Sequence, residues 1–465
     1  MFLKNNIMQI LVKQVGNITL FLPIFLLALL CECNKKPLLL QKKNILFISI
    51  DTVRADHLGT HGYWKNTSPL IDSLAEQGIC YDHAISQAPW TLPSMVSAFT
   101  SLYPSEHGSV EAKIRMPKKQ KTITEKLKKA GYHTIGICSH SFVSSQYGFE
   151  RGFSIFDESQ IKGHDAVTSD SLTLNAIHYL SKMKTDKPFF LWIHYFDPHF
   201  SYIRHPEFKM AEKYQAEIPD TIVSHLLYTA EKNKNYFNKK DLNFIESVYD
   251  EEIAYTDHWI KRLLTQMQNM GKLNSTIIIL FADHGEYFQE RGKFFHGKDV
   301  YEPLIHVPLV ISGDIDKEMK GKRVSQPVEI SSIPKTIMGI LGSTETYFQG
   351  HDLYALAHQE ERDHFPVFSE GNYAWGTDQR KKAIIQSDWK LIYNFDDDSY
   401  EFYNIKTDPD ENQNLLPINQ PEIETIYRQL TTKLGSYPAQ IAESPQEVQL
   451  DKKTMERLKS LGYIN

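Results

Sequence analysis

Three short segments, far apart along the chain, carry the residues best suited to chemistry: Ile48-Ser-Ile-Asp-Thr-Val-Arg-Ala-Asp56, Ser86-Gln-Ala-Pro-Trp-Thr-Leu-Pro-Ser-Met95 and Phe281-Ala-Asp-His-Gly-Glu286. Each sets carboxylate or imidazole ligands, or a hydroxyl nucleophile, where an apolar run gives way to polar residues. In an α/β protein that transition falls at the carboxyl edge of a parallel sheet, where such folds build their sites. Together they predict a metal-dependent ester hydrolase.

The elements that must position these residues are legible in the apolar pattern. Lys43 to Ile50, Pro188 to His194 and Thr276 to Phe281 are continuous apolar runs, as expected of strands buried on both faces of a parallel sheet. His133 to Cys138 and Pro308 to Ser312 read as further strands, and Ile79 to Ile85 as a short one. Helical spacing marks Pro69 to Gly78, Thr91 to Leu102, Ile123 to Gly131, Ser169 to Lys184, Phe244 to Met270 and a Pro334-led segment ending at Gly342. The alternation predicts an α/β fold, a mostly parallel sheet sandwiched by helices. Residues 203–243 are polar and aromatic-rich and read as an irregular excursion over the site mouth. Beyond about residue 350, short strands at Lys382, Trp389 and Tyr400 and a helix from Glu422 to Leu434 predict a smaller antiparallel sheet with one helix.

The boundaries that follow are 1–33 for a leader or anchor, 34–43 for a linker, 44–345 for the catalytic domain and 346–465 for the carboxyl-terminal subdomain. Lys4 and Lys13 precede the apolar run Ile18 to Leu30, which ends at Cys31-Glu-Cys33. Its length is that of a secretory signal and short of the roughly 20 residues that span a bilayer. Lipidation at Cys31 or Cys33 and an uncleaved membrane anchor both fit, and either predicts an exported, bacterial-type protein with its catalytic body outside the cytoplasm. The net charge of -6, with no long basic block, gives no reason to expect a nucleic-acid partner. Cys80 and Cys138 lie in apolar surroundings and read as buried thiols.

The ordered motifs Asp51-Thr-Val-Arg-Ala-Asp56, Thr91-x-Pro93-Ser94, Tyr103-Pro-Ser-Glu-His-Gly108, Asp283-His-Gly-Glu286 and Asp408-Pro-Asp-Glu-Asn412 resemble those of the sulfatase family, within the alkaline-phosphatase superfamily. The resemblance implies one divalent metal ion, Ca²⁺, Mn²⁺ or Zn²⁺, held by Asp51, Asp283, His284 and the side-chain oxygen of Thr91. It implies Thr91 as nucleophile and His199 as a contact to the transferred group, with His194 a weaker candidate. His296 or Lys298 would contact the anion or protonate the leaving oxygen. The substrate would be a sulfate or phosphate ester, on a glycan or a lipid headgroup.

Several positions depart from that pattern. Known sulfatases convert a Cys or Ser to formylglycine, and Thr91 cannot give that aldehyde. Met95 stands where the family has Arg, and Thr52 where it has a second acid. A threonine nucleophile resembles the phosphodiesterase and phosphoethanolamine-transferase branches, which keeps phosphorus chemistry open beside sulfur chemistry; a noncatalytic binding protein is the third reading. Asp197-Pro-His199 lacks the Asp-x-x-x-His spacing of a second zinc site, which favours one metal. Arg54 and Asp56 are read as braces of their loop, His140 and His306 as packing or surface residues, and the family's Lys-x-His segment is not recognisable at Ser139-His140.

Overall fold

The computed structural model describes residues 42–163, 166–214, 218–233, 235–359, 364–371, 380–437 and 446–449, with a few positions between 452 and 456. The expected leader or anchor, residues 1–33 with Cys31 and Cys33, lies outside the described residues. Eight strands make the central sheet: β1 (Asn44–Ile50), β2 (Ile79–Tyr81), β3 (His133–Cys138), β4 (Ile155–Asp157), β5 (Phe189–Tyr195), β6 (Thr276–Ala282), β7 (Leu309–Gly313) and β8 (Lys322–Val324). Their spatial order is β8-β2-β7-β6-β1-β5-β3-β4. Only β7 runs against its neighbours β6 and β2, and every other pairing is parallel.

The unbroken apolar runs have a simple cause: β5 and β6 are buried at every position and β1 at all but its first. Strands covered on both faces need apolar residues at both parities. Among the described residues the longer helices are α1 (Pro69–Glu76), α2 (Thr91–Thr100), α3 (Ile123–Lys129), α4 (Ser169–Lys182), α5 (Ser224–Lys232), α6 (Lys239–Asn269), α7 (Ile333–Ile340) and α8 (Pro421–Ser436). Helices α1 and α4 pack on α6, while α3 and α7 pack on α2. Phe99 of α2 meets Phe47 of β1 and Trp192 of β5 at 5.8 and 4.8 Å between ring centres. Tyr195 of β5, of opposite parity to Trp192, bonds Thr173 of α4 on the other face at 2.8 Å. The sheet is thus sandwiched, as the sequence pattern predicts.

Three local readings are corrected. The segment Ile79 to Ile85 is two strands: β2 in the main sheet, and Ala84–Ile85 paired with His306–Val307 and Val328–Glu329. The excursion is less irregular than its composition suggests, since it contains α5, and α6 begins at Lys239. There Asn238 accepts from the backbone N–H groups of Lys240 and Asp241, so a polar cap starts this helix before any apolar residue signals it. Residues Val367–Gly371 add a further strand, hidden because only Val367 and Phe368 are apolar.

That strand is β9, followed by β10 (Lys381–Gln386), β11 (Trp389–Asn394) and β12 (Ser399–Asn404) in an antiparallel meander. One face of the meander, with Ile384, Leu391 and Phe402, buries against Leu430 and Leu434 of α8. The other face, with Ile385, Ile392 and Tyr403, packs on Tyr287, Val300, Leu304 and Ile305 of the large domain. Period-two alternation therefore serves two different cores. The fully buried Lys390 ammonium adds a polar clamp, at 2.9 Å from Glu302 and 2.8 Å from Glu411 of the Asp408-Pro-Asp-Glu411 motif. Residues from Lys42 onward form one compact unit.

Candidate metal centre and active site

Strand register brings the candidate ligands together. Ile50 of β1 pairs with Ala282 of β6, so the next residues, Asp51 and Asp283, leave adjacent parallel strands side by side. On the other side of β1, Ser49 is level with His194 of β5, and His194 is level with Cys138 of β3, two residues before His140. The ligand atoms of Asp51, Asp283 and His284 all lie within 4.8 Å of one another, and the three residues are fully buried. The Thr91 hydroxyl joins them at 3.3 Å from Nε2 of His284, which is itself 3.4 Å from Asp51 and 3.6 Å from Asp283. The four residues expected to share one cation therefore converge.

Local structure explains each orientation. Thr52 holds φ at 55°, a left-handed backbone unusual for a β-branched residue. In that conformation its N–H donates to Oδ1 of Asp283 at 3.2 Å, and its carbonyl accepts from the Tyr249 hydroxyl. His284 donates Nδ1–H to the Gly285 carbonyl at 2.9 Å, which leaves the Nε2 lone pair toward the carboxylates. Thr91 is the first residue of α2, whose N-cap Trp90 makes no side-chain cap bond. The hydroxyl of Thr91 is therefore not used as the cap, and Thr91 stands at the positive end of the helix.

The electrostatics fit a divalent cation. Burial, reinforced by the charge of Glu286, pushes the Asp51 carboxyl well above its ordinary value, and burial with the charge of Asp51 does the same to Asp283. Oδ1 of Asp51 and Oδ2 of Asp283 accept no hydrogen bond although both are buried. Unpaired buried carboxylates are costly, and a hard divalent ion supplies the missing partner. Three residues with oxygen donors and one neutral imidazole suit Ca²⁺, Mn²⁺ or Zn²⁺ alike.

The remaining candidates separate by their partners. His194 stands behind the ligands: Trp192 donates to Ser49 Oγ at 3.0 Å, Ser49 lies 2.8 Å from Nδ1 of His194, and its Nε2 is 3.3 Å from Asp51 Oδ2. Burial lowers His194 to about 4, so it is neutral and holds Asp51 in place. His199 is anchored through Nδ1 to the Phe200 carbonyl at 2.7 Å, and its ring lies 5.0 Å from that of His296. His296 follows Phe295, whose φ is 65°; it bonds Glu286 at 3.1 Å, and its ring lies tilted 4.3 Å from that of His284. Lys298 instead pairs with Glu231 of α5 at 3.1 Å. Arg54 does brace its loop, binding Asp56 at 2.8 Å, and Met95 is fully buried and offers no charge.

Sequence reasoning missed two residues. His140, read as packing or surface, is buried with Nδ1 3.9 Å from Asp51 and its ring 5.7 Å from His199. It lies just beyond the end of a strand, as Asp51 does, which was the available signal. Glu286, within a quoted motif but given no role, is buried and orients His296.

Comparison with known proteins identifies the family. The family model described as "Sulfatase" matches residues 43–343, and one described as "N-sulphoglucosamine sulphohydrolase, C-terminal" matches 290–440. An arylsulfatase of Clostridium perfringens is 25% identical over 439 residues, covering 81% of this chain and 90% of its own length. An N-acetylglucosamine-6-O-sulfatase of Bacteroides thetaiotaomicron is 22% identical, with 89% of each chain covered. A solved structure in complex with its substrate D-glucosamine-2-N,6-O-disulfate superposes with a TM-score of 0.70 at 19% identity, covering 85% of this chain and 97% of the other. With the family model spanning most of the large domain and the strand-end cluster assembled, the chain belongs to the sulfatase family of sulfuric ester hydrolases.

Proposed function

We propose that this protein hydrolyses the sulfate ester of a sulfated carbohydrate, with Thr91 as nucleophile. The observation that carries this reading is the Thr91 hydroxyl 3.3 Å from His284 Nε2, inside a buried carboxylate cluster at an uncapped helix end. Asp51, Asp283, His284 and Thr91 would hold a divalent cation, which when bound would supply positive charge beside the Thr91 oxygen and the transferred group. As the Thr91 oxygen attacks sulfur, its proton passes to Nε2 of His296 or His199, the bond from sulfur to the sugar oxygen breaks, and the leaving oxygen takes that proton from the imidazolium so formed. Water then cleaves the sulfo-threonine and Thr91 regains its proton. Burial lowers His296 to about 3, so it starts as a neutral imidazole, and Glu286 holds its proton on Nδ1, which leaves Nε2 as the atom that takes up a proton and passes it on. The α2 N–H groups meet the anion where no lysine or arginine does in the described contacts.

Transfer of a phosphoryl group through phospho-threonine is the second reading, favoured by one observation: Thr91 cannot become formylglycine. The deciding experiment offers purified protein with Mn²⁺, Zn²⁺ or Ca²⁺ three substrates: N-acetylglucosamine-6-sulfate, 4-nitrophenyl sulfate and bis(4-nitrophenyl) phosphate. Intact-mass spectrometry then looks for an adduct on Thr91. Sulfate release with a sulfo adduct supports the first reading; phosphodiester turnover with a phospho adduct replaces it with the second. Activity surviving in Thr91→Ala defeats both. Export and tethering through residues 1–33 are part of the proposal, tested by cell fractionation and by lipid labelling of Cys31→Ser and Cys33→Ser. Among the described residues no helix is long and apolar enough to cross a membrane.

A further inference from the structure

A second group of metal-type side chains lies outside the site described above. His83, Glu302 and His306 are half-buried, and each offers one ligand atom within 4.8 Å of the others. They line a cleft of about 620 Å³ whose walls include none of Asp51, Thr91, His199, Asp283, His284 and His296. The topology assembles them. Ala84–Ile85 pairs antiparallel with His306–Val307, which sets His83 beside His306, and Glu302 opens the short helix that runs into His306.

The supporting contacts orient all three ligands. His306 donates Nε2–H to the Asp82 carbonyl at 2.9 Å, so its Nδ1 lone pair faces Glu302 Oε2 at 3.8 Å. His83 Nε2 approaches the same oxygen at 2.7 Å. The other oxygen of Glu302 is held by the buried Lys390 at 2.9 Å, which fixes the direction of Oε2. The rings of His83 and His61 pack edge-on against His306 at 4.7 and 5.8 Å. A hydrogen-bonded His83–Glu302 pair accounts for one contact but leaves a lone pair of His306 aimed at a carboxylate oxygen. A cation between them removes that repulsion, and outer partners such as Asp82 and Lys390 are what ordered metal ligands require.

We propose that His83, Glu302 and His306 form a second divalent-cation site, independent of the centre at Asp283. Two imidazoles and one carboxylate make a donor set suited to Zn²⁺, with the remaining coordination position open to the cleft.

The test loads the full chain with Zn²⁺, removes loose metal by desalting and counts zinc per chain by mass spectrometry. His306→Gln, whose amide can still donate to Asp82, and His83→Gln each should lose one equivalent relative to the parent. Asp283→Asn should keep that equivalent while losing any metal at the catalytic centre, so the two sites fail separately. Unchanged zinc content in both glutamine variants, the result for a hydrogen-bonded pair only, overturns the proposal. A readout that needs no histidine variant is Cu²⁺ electron paramagnetic resonance on Asp283→Asn. Coupling to two nitrogens is expected, and a spectrum without nitrogen coupling overturns the site.

Discussion

Asp51 and Asp283 stand one residue beyond the register partners Ile50 and Ala282, two buried carboxylates on neighbouring parallel strands, each with an oxygen that accepts no hydrogen bond. Without a cation the pair repels, and this makes the metal dependence of stability testable. Asp283→Asn should raise metal-free stability by about 1–3 kcal/mol, the scale of relieving an unsatisfied buried polar group. The same variant should lose the rise in melting temperature that Mn²⁺, Zn²⁺ or Ca²⁺ gives the parent. Thermal unfolding with and without EDTA measures both, and a retained metal response would contradict the assignment.

Thr91 begins α2 without acting as its cap. Removing its hydroxyl should therefore cost little stability and most of the activity. Thr91→Ala is expected to lower kcat about 10³-fold or more, with Thr91→Ser retaining hydroxyl chemistry. Steady-state kinetics on the best ester substrate checks this, alongside an unchanged circular dichroism spectrum.

The relay from Trp192 through Ser49 and His194 to Asp51 is a positioning device. Ser49→Ala leaves all four proposed ligands in place, yet metal affinity or activity should fall about 10–100-fold, as for other outer partners of metal ligands. Metal titration by calorimetry separates weaker binding from slower chemistry.

His107 gives a pH signature of stability away from the site. Its Nδ1 accepts from the Ser109 N–H at 3.0 Å and its Nε2 lies 3.2 Å from the Pro93 carbonyl, so both nitrogens are committed in the neutral ring. Burial lowers it from 6.5 to about 3. Between these values the unfolded chain binds a proton that the folded chain refuses. Stability is therefore fully present above pH 6.5 and falls as pH drops toward 3, by up to about 1.4 kcal/mol per pH unit for this one group. Denaturant unfolding across pH 4–7 should show that slope, reduced in His107→Gln.

Lys390 is buried between Glu302 and Glu411 at the seam between the large domain and the antiparallel meander. Lys390→Met leaves two carboxylates facing each other and should destabilise by about 3–5 kcal/mol. Unfolding of Lys390→Met at neutral pH within 1 kcal/mol of the parent would show the clamp to be dispensable.

The apolar runs before Asp51, His194 and Asp283 were readable because strands buried on both faces leave an uninterrupted hydrophobic signal, and polar ligands end it abruptly. That signal, with the ordered motifs, was enough for the fold class, the family and the four residues, Thr91 among them, that converge in the site. Helix α5, strand β9 and the early start of α6 were hidden, because short or polar elements owe their form to caps and tertiary contacts. The role of His140 and the pairing of Lys298 with Glu231 depend on which strands and helices are neighbours in space, here the order β6-β1-β5-β3 and the placement of α5. The His83, Glu302 and His306 group is likewise a product of the pairing between Ala84–Ile85 and His306–Val307. Periodicity along a chain records how each element is buried, but side chains more than 200 residues apart meet only through register and crossover, and these the tertiary structure alone decides.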